Sequence, residues 1–371
     1  MEKTIVMIHG MWGGAWCWDH YKPFLENKGY HCITPILRYH DRDPNDEPDP
    51  RLGTVSLTDY ADDLEKQIRQ LDVPVILMGH SMGGLLTQIL ASRDLAEAAI
   101  LLTPAAPYGI MVLKPSVIRS FWSTLTTWKF WKKPGRQTFK EASYSTLGVL
   151  PADVKKKKFD KLVYESGRVV LEQGFWLLDS KKASKVDESK VTCPVLIIAG
   201  TEDKITPAPV VRKIADKYKE VAVYKEFEHH GHAVLEEPGW EEIAEYTSAW
   251  LDKVLSVKRF EVETHVEQRK FKRTQYHALI AFARSDSESY HHGKMDSYSP
   301  GGIHFTSNVE IKPGSDIIIK WVDSIPEIKG FHGKDVCRAE VMWYKQRKDR
   351  SLYDIGAQFS EIPVQQRLHG N

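Results

Sequence analysis

The clearest structural signal in the chain is PVILMGHSMGGLLTQIL, residues 74–90. It begins with a short apolar run at 74–78, which is typical of a strand buried on both faces of a parallel sheet. A serine flanked by glycines, Gly79-His80-Ser81-Met82-Gly83, follows at once, and a helical apolar pattern comes after it. G-x-S-x-G between a strand and a helix forms a strained turn that leaves the serine hydroxyl exposed. The sequence therefore predicts that Ser81 is a nucleophile at the carboxyl end of a sheet strand.

Similar apolar runs recur through residues 1–256, and amphipathic helical patterns separate them. One such helical pattern lies at 57–71, where apolar residues form a single stripe. The alternation is typical of βαβ units, so we expect an α/β fold with a doubly wound, mostly parallel sheet. The expected strands lie at 4–8, 31–34, 74–78, 98–102, 194–199 and 221–226.

The spacing of these runs also predicts the domain organisation. The connection between 98–102 and 194–199 is too long for one crossover helix, so we expect a cap inserted at about residues 104–190. From residue 257 onward β-type runs dominate, separated by Gly, Pro, Asp and Ser clusters, and they predict a separate all-β barrel. Those runs lie at 276–282, 302–306, 316–321 and 338–344. The expected domains are therefore 1–256 and 257–371.

Composition and charge exclude several classes of protein. A net charge of +1 over 371 residues gives no global attraction to nucleic acid, so we expect no nucleic-acid partner. The four cysteines show no CxxC spacing, which indicates reduced thiols in a cytoplasmic protein rather than a disulfide framework or a metal site. The N-terminal sequence does not resemble a signal peptide, and we expect no membrane span. We also expect neither a metal nor another cofactor.

A serine nucleophile needs a base, and the base needs an acid that orients it. In chains whose nucleophile lies at such a strand-to-helix turn, the catalytic residues occur in the order Ser, then Asp, then His. The loop after the expected strand at 194–199 contains Glu202 and Asp203, and the loop after 221–226 contains His229, His230 and His232. We choose Asp203 and His232; Glu202 is the rival acid, and His229 and His230 are the rival bases. The three histidines do not predict a metal site, because no carboxylate or thiol lies at ligand spacing.

The turn after the first expected strand is rich in glycine and reads His9-Gly10-Met11-Trp12-Gly13-Gly14. Such a turn can direct a backbone N–H at the negative charge that develops on a reacting carbonyl oxygen. The second donor is the N–H of Met82, the residue after the nucleophile. Each donor of this kind typically stabilises the transition state by roughly 3–4 kcal/mol. His9 itself fits a structural hydrogen-bonding role better than a catalytic one.

With these residues identified, the first 255 positions resemble the α/β-hydrolase superfamily, and within it the branch of plant-type carboxyl methylesterases and hydroxynitrile lyases. The motifs that carry the resemblance are HGMWGGAWCW at 9–18, GHSMGG at 79–84, GTEDKITP at 200–207 and GHAVLEEP at 231–238. The resemblance implies a six-stranded parallel sheet with a helical cap. It also implies a catalytic triad of Ser81, Asp203 and His232, with Met11 and Met82 as the oxyanion donors.

This branch contains two chemistries, and two positions separate them. The lyases that the sequence resembles carry Thr after the first motif histidine and Lys after the catalytic histidine, whereas this chain has Gly10 and Ala233. Both departures favour hydrolysis of a small-molecule carboxylic ester. One alternative is a non-catalytic receptor or adaptor that keeps the pocket, although such a protein would not need an intact triad. The other is a carbon–carbon lyase or a cofactor-free haloperoxidase on the same scaffold.

The C-terminal segment resembles PilZ domains, which bind the messenger cyclic di-GMP. EQRKFKR at 267–273 fits the RxxxR motif of that family, and SYSPGG at 297–302 stands in the place of [DN]xSxxG. The chain departs from the second motif at Ser297, with an aspartate one place earlier, and we expect this motif to lie in a turn. A solvated basic linker is the alternative for the first motif. The resemblance implies cyclic di-GMP as a possible regulatory ligand, bound by Arg269, Arg273, Ser297, Ser299 and Gly302.

Overall fold

The structure is a computed structural model that describes residues 3–112, 114–218, 221–267, 274–287, 289–299, 301–321, 336–347 and 352–361. The chain divides into two compact units, Met1–Ser256 and Val257–Asn371. None of the described helices is long and apolar enough to cross a membrane.

The first unit is built on a parallel sheet. Its strands are β1 (Lys3–Ile8), β2 (Tyr30–Ile33), β3 (Val75–His80), β4 (Ala98–Leu102), β5 (Pro134–Gly135), β6 (Glu165–Ser166), β7 (Val195–Gly200) and β8 (Ala222–Phe227). Six of them form one sheet in the order β2-β1-β3-β4-β7-β8, with every neighbouring pair parallel. The predicted α/β fold with a six-stranded parallel sheet is confirmed. The central strands β3, β4 and β7 are buried along their whole length, as their apolar sequences predict.

Helices cover the sheet and form the cap. The helices are α1 (Tyr21–Asn27), α2 (Leu57–Arg69), α3 (Met82–Ser92), α4 (Pro115–Ser120), α5 (Trp122–Leu125), α6 (Phe139–Tyr144), α7 (Ala152–Phe159), α8 (Gly167–Gly174), α9 (Ala208–Tyr218) and α10 (Trp240–Glu267). Short 3-10 helices lie at Ala15–Trp18, Pro50–Thr54, Phe130–Lys132, Trp176–Leu178 and Glu188–Lys190.

Helix α2 shows how the sequence sets these elements. A capping box starts it, because the Ser56 hydroxyl accepts a hydrogen bond from an N–H of the first turn and the Asp59 carboxylate accepts one from Ser56 N–H. The predicted apolar stripe is its buried face. At the other end of this region, α10 continues to Glu267, past the expected domain boundary at residue 257, and the first strand observed after it starts at Thr274.

The cap consists of α4–α8 and the antiparallel pair β5–β6, all between β4 and β7. A buried polar network ties it to the sheet domain. Glu165, in β6, accepts a hydrogen bond from the Tyr60 hydroxyl at 2.8 Å, and His40 Nε2 lies 3.1 Å from its other oxygen. His40 Nδ1 lies 3.1 Å from the Arg38 carbonyl oxygen. Burial lowers the pKa of His40, but Glu165 and these hydrogen bonds outweigh it, so the pKa is raised above 6.5.

The second unit is a closed antiparallel barrel, as predicted. Its strands are β9 (Thr274–Arg284), β10 (His291–Ser299), β11 (Gly302–Ser307), β12 (Asp316–Trp321), β13 (Val336–Gln346) and β14 (Tyr353–Glu361). Around the barrel they follow the order β10-β11-β14-β13-β12-β9. The core is apolar and includes Phe282, Phe305 and Ile319.

The structure corrects the placement of the motif at 297–302. Ser297 and Ser299 belong to strand β10 rather than to a turn, and Gly302 is the first residue of β11. The glycine is needed for close packing, because a Cβ at this position would lie 2.4 Å from the Ala357 carbonyl oxygen on the neighbouring strand. Ser297 pairs with His304 on β11 and with Gln275 on β9, and Ser299 pairs with Gly302 on β11, so both serines are strand residues.

Candidate active site

Ser81 lies at the sharp turn between β3 and α3. Its φ is 55°, a left-handed value that a non-glycine residue rarely adopts. The glycines on either side are required by space: a Cβ at Gly79 would lie 2.1 Å from the Gly83 carbonyl oxygen, and one at Gly83 would lie 2.1 Å from the Ile8 carbonyl oxygen. The turn predicted from G-x-S-x-G is therefore present, with the serine at the carboxyl end of a central strand.

The structure brings Ser81, His232 and Asp203 into one hydrogen-bonded row. His232 Nε2 lies 2.9 Å from Ser81 Oγ, and His232 Nδ1 lies 2.8 Å from Asp203 Oδ2. A carboxylate can only accept, so Nδ1 carries the imidazole proton and Nε2 is free to accept the serine proton. All three side chains are buried from bulk water.

The rival residues lie apart from this row. The Glu202 carboxylate is half exposed, and its nearest basic group is His229 Nδ1 at 3.5 Å. The His229 side chain is 88% exposed. His230 is buried beside Glu237, with 3.3 Å between its Nδ1 and a carboxylate oxygen. None of these three contacts Ser81 among the hydrogen bonds of the described residues.

Asp203 is held as an anion by its neighbours. Its Oδ1 accepts hydrogen bonds from the backbone N–H groups of Ile205 at 2.8 Å and Thr206 at 2.9 Å. The Thr206 hydroxyl lies 2.7 Å from Oδ2, which also faces His232. Burial raises the pKa of Asp203, but His232 and these donors outweigh it, so the pKa lies below the ordinary value of 3.8.

Two further residues fix the backbone around His232, and neither is among the predicted site residues. The buried Glu237 carboxylate accepts hydrogen bonds from Gly231 N–H at 2.7 Å and Ala233 N–H at 2.9 Å, one on each side of the histidine. His80 Nε2 donates to the His232 carbonyl oxygen at 2.7 Å. Burial lowers the pKa of His80 to about 3, so its ring is neutral. The only sequence signal for Glu237 is its place in GHAVLEEP.

The expected oxyanion donors lie beside Ser81. Met82 is the first residue of α3, so its N–H has no acceptor within the helix. Met11 lines the same cavity as Ser81, and a Cβ at Gly10 would lie 2.9 Å from Ser81 Cβ. The turn is held by His9, whose Nε2 accepts a hydrogen bond from Leu37 N–H at 3.1 Å and whose Nδ1 lies 2.9 Å from the Gly10 carbonyl oxygen.

A cavity of about 880 Å³, its mouth included, lies between the sheet domain and the cap and reaches Ser81 and His232. Its walls are mostly apolar and come largely from the cap. The residues between β4 and β7 that line it are Ala105, Ala106, Val112, Val117, Ile118, Phe121, Leu125, Thr146, Val170, Gln173, Gly174 and Phe175. No Asp, Glu, Lys or Arg is among its lining residues. Because nothing there can pair with a charge, the cavity suits a neutral, apolar molecule.

The structure describes only some of the residues that are expected to bind a nucleotide. Arg269 and Arg273 lie outside the described residues. Ser297 and Ser299 are buried, and the Ser299 hydroxyl donates to the Gly302 carbonyl oxygen at 3.4 Å.

Elsewhere on the barrel, Asp296, His304 and Asp354 bring possible metal-ligand atoms within 4.8 Å of one another. Arg347 already pairs with Asp354 at 2.7 Å. The Arg347 guanidinium thus already neutralises one of the two carboxylates of this group.

Comparison with known proteins places both units in families. A family model described as "Alpha/beta hydrolase family" matches residues 5–246, and a PilZ domain model matches residues 267–369. Alpha-hydroxynitrile lyase of Arabidopsis thaliana is 23% identical over 61% of this chain and 89% of its own length. Methylesterase 4 of the same plant is 38% identical, but over 23% of this chain and only 32% of its own length.

A solved structure shows the same fold. The monoacylglycerol lipase of Paleococcus ferrophilus superposes with a TM-score of 0.51 and 22% identity, over 67% of this chain and 93% of the lipase. The resemblances to the α/β-hydrolase and PilZ families are confirmed. The chain belongs to the alpha/beta hydrolase family and carries a PilZ domain at its C-terminal end.

Proposed function

We propose that the chain is a serine hydrolase of carboxylic esters, with Ser81 as nucleophile, His232 as base and Asp203 as the orienting acid. The observation that carries this proposal is the continuous row of hydrogen bonds from Ser81 Oγ through the His232 ring to Asp203 Oδ2. It supplies what a weak hydroxyl nucleophile needs, a base in contact and an anion behind the base.

The reaction follows from this arrangement. Ser81 Oγ attacks the ester carbonyl carbon while its proton passes to His232 Nε2, and the Asp203 carboxylate stabilises the resulting imidazolium. The N–H groups of Met11 and Met82 donate to the oxyanion. His232 then gives the proton to the leaving alkoxide, which departs as the alcohol. A water gives a proton to His232 Nε2 and attacks the acyl carbon, the acyl–oxygen bond to Ser81 breaks, and His232 returns the proton to Ser81 Oγ as the acid is released.

Ester hydrolysis is favoured over cyanohydrin cleavage by the residues beside the triad. A threonine in place of Gly10 has no room, because even a Cβ there would lie 2.9 Å from Ser81 Cβ. Ala233 offers no cation to stabilise a departing cyanide ion. The uncharged cavity favours esters whose acyl and alcohol parts are both neutral and apolar.

Labelling by a fluorophosphonate and turnover of a nitrophenyl ester panel test the proposal. We expect Ser81 to be labelled and the Ser81→Ala variant to lose both label and turnover. His232→Ala should do the same, whereas the matched His229→Ala should keep full activity, because its side chain points to solvent. A neutral hexanoate ester should be preferred to an ester whose acyl chain ends in a carboxylate. Absence of both label and turnover in the wild type would leave the receptor alternative.

We also propose that the PilZ domain binds cyclic di-GMP through Arg269, Arg273, Ser297, Ser299 and Gly302, and that the nucleotide modulates ester turnover. The match to the PilZ model over residues 267–369 supports this. Arginine forks suit bidentate contacts with phosphate and with the guanine edge. Turnover responds only if the nucleotide binds one arrangement of the protein more tightly than another.

Calorimetry on the full chain tests the nucleotide site. We expect heat on addition of cyclic di-GMP and none after combined Arg269→Ala and Arg273→Ala substitution, with basal turnover preserved. The Gly302→Ala variant is unsuitable here, because it would disturb strand pairing. No heat with the wild type would mean that the departure at Ser297 has removed binding while the barrel persists.

A further inference from the structure

The cap exposes large apolar side chains in two segments that contact each other, 122–133 and 175–185. The segments meet where the rings of Phe130 and Phe175 lie 6.2 Å apart. The most exposed side chains are Trp122 at 59%, Trp128 at 76%, Leu177 at 67% and Leu178 at 73%. We call the exposed side chains of these two segments the cap surface. Clustered exposure of this kind on a folded protein indicates an interaction site.

The same two segments carry unneutralised positive charge. Segment 122–133 contains no acidic residue, and the single acid of 175–185, Asp179, is buried and bound to Arg168 and to backbone N–H groups. Within the described ranges, none of the lysines of the cap surface forms an ion pair, whereas Lys158 and Lys190 elsewhere in this region pair with Glu236 and Asp187. The lysines of the cap surface are Lys129, Lys132, Lys133, Lys181, Lys182 and Lys185.

The cap surface adjoins the apolar cavity. Helix α5 exposes Trp122 and lines the cavity with Leu125, three residues further on. In the second segment Phe175 lines the cavity, and Leu177 and Leu178 stand in solvent two and three residues later. An apolar molecule held at the cap surface would therefore lie close to the walls of the cavity.

We propose that the cap surface docks on an anionic lipid surface, from which apolar esters enter the cavity. Tryptophan and leucine side chains flanked by lysines are the composition that settles at the boundary between headgroups and acyl chains. The attraction is local, since the net charge of the whole chain is only +1. The docking step goes beyond the proposed function and does not require Ser81 to react.

Vesicle flotation with the full chain carrying Ser81→Ala measures docking without hydrolysis. The probes are vesicles of phosphatidylcholine alone and of phosphatidylcholine mixed with phosphatidylglycerol. We expect binding to the mixed vesicles, weak binding to the neutral ones, and loss of binding at high salt. Since each lysine near an anionic surface raises partitioning about fivefold, combined Lys129→Gln and Lys132→Gln should lower it about 25-fold.

Matched controls separate the cap surface from general charge and hydrophobicity. Combined Lys66→Gln and Lys213→Gln removes two exposed lysines from α2 and α9 and should leave binding unchanged. For the apolar part, combined Trp128→Ser and Leu178→Ser should weaken binding. Combined Val73→Ser and Val223→Ser, at side chains that are 48% and 41% exposed, should leave binding unchanged.

In the background with Ser81 intact, the cap-surface variants should hydrolyse a water-soluble nitrophenyl ester at the wild-type rate, because none of the substituted residues lines the cavity. The proposal is overturned if the mixed vesicles do not bind the protein, or if the control variants lose binding as much as the cap variants. It is also overturned if sedimentation shows self-association that Trp128→Ser with Leu178→Ser removes while no vesicle binds; the surface would then join two copies of the chain.

Discussion

Replacing Asp203 by Asn is a sharp test of the triad, because the surrounding donors decide which way the new amide points. In the wild type, Oδ1 accepts hydrogen bonds from two backbone N–H groups, those of Ile205 at 2.8 Å and Thr206 at 2.9 Å. An amide oxygen can replace that acceptor, whereas an NH₂ group there would face two donors. The wrong orientation would leave both buried donors unsatisfied, at about 1–3 kcal/mol each, so the amide oxygen should stay at the Oδ1 position.

The amide nitrogen then takes the position of Oδ2, which lies 2.8 Å from His232 Nδ1. Because an NH₂ group can only donate, Nδ1 must accept and the imidazole proton must move to Nε2. Nε2 lies 2.9 Å from Ser81 Oγ and can no longer take the serine proton. A histidine held in this tautomer reduces kcat about 10⁴-fold, which corresponds to about 5.5 kcal/mol.

The assay is kcat for a nitrophenyl ester at neutral pH, with thermal unfolding to confirm that the variant is folded. Glu202→Gln is the matched control, since the Glu202 carboxylate is half exposed and lies 3.5 Å from His229 Nδ1. It should retain kcat. If Asp203→Asn keeps kcat within about tenfold of the wild type while folded, the tautomer reasoning is wrong. A large loss in Glu202→Gln alone would identify the rival acid.

Three further changes have expected outcomes. Glu237→Gln places a donor against one of two backbone N–H groups, so it should lower the free energy of unfolding by about 2–3 kcal/mol in chemical denaturation and also lower kcat. Its control, Glu236→Gln, leaves those N–H groups bonded and should keep kcat. The pKa of His40 is raised in the folded state, so its bond to Glu165 stabilises the protein fully below pH about 6.5 and less as the pH rises through the folded pKa. The Tm difference between the wild type and His40→Gln should therefore shrink from pH 6 to pH 9. Gly302→Ala should lower the Tm of the barrel, because the added Cβ would lie 2.4 Å from a carbonyl oxygen of the next strand, and an unchanged Tm would show that the strands can separate without cost.

Short-range patterns were enough to predict the sheet and the position of the candidate site on it. All six strands were predicted with ends no more than two residues away from those observed. The central strands β3, β4 and β7 are continuous apolar runs, as expected of strands buried on both faces. The loops after β7 and β8 lie at the same edge of the sheet as Ser81, which is why chain order could single out Asp203 and His232. Their roles in catalysis stay predictions until activity is measured.

Features that depend on long-range contacts could not be predicted. Strand β10 has the sequence HHGKMDSYS, which is too polar to predict a strand, although the strand pairs with β9 on one side and β11 on the other. Glu237 was missed for a different reason: its partners lie only four and six residues earlier, but no helical or strand periodicity marks a carboxylate that binds N–H groups of a loop. The network of Glu165, His40 and Tyr60 joins residues more than a hundred positions apart along the chain, with no periodic pattern to reveal it.

The insertion of the cap has a consequence for how the protein is made. Strand β4 is wholly apolar and buried, yet one of its neighbours is β7, with Ala99 opposite Val195. At a synthesis rate of roughly 5–20 residues per second, the partner emerges from the ribosome roughly 5–20 s after β4. Throughout that interval the half-built sheet ends in an open, hydrophobic edge, which invites pairing with other chains. The nascent chain is therefore exposed to aggregation at an edge that lies in the middle of the finished sheet.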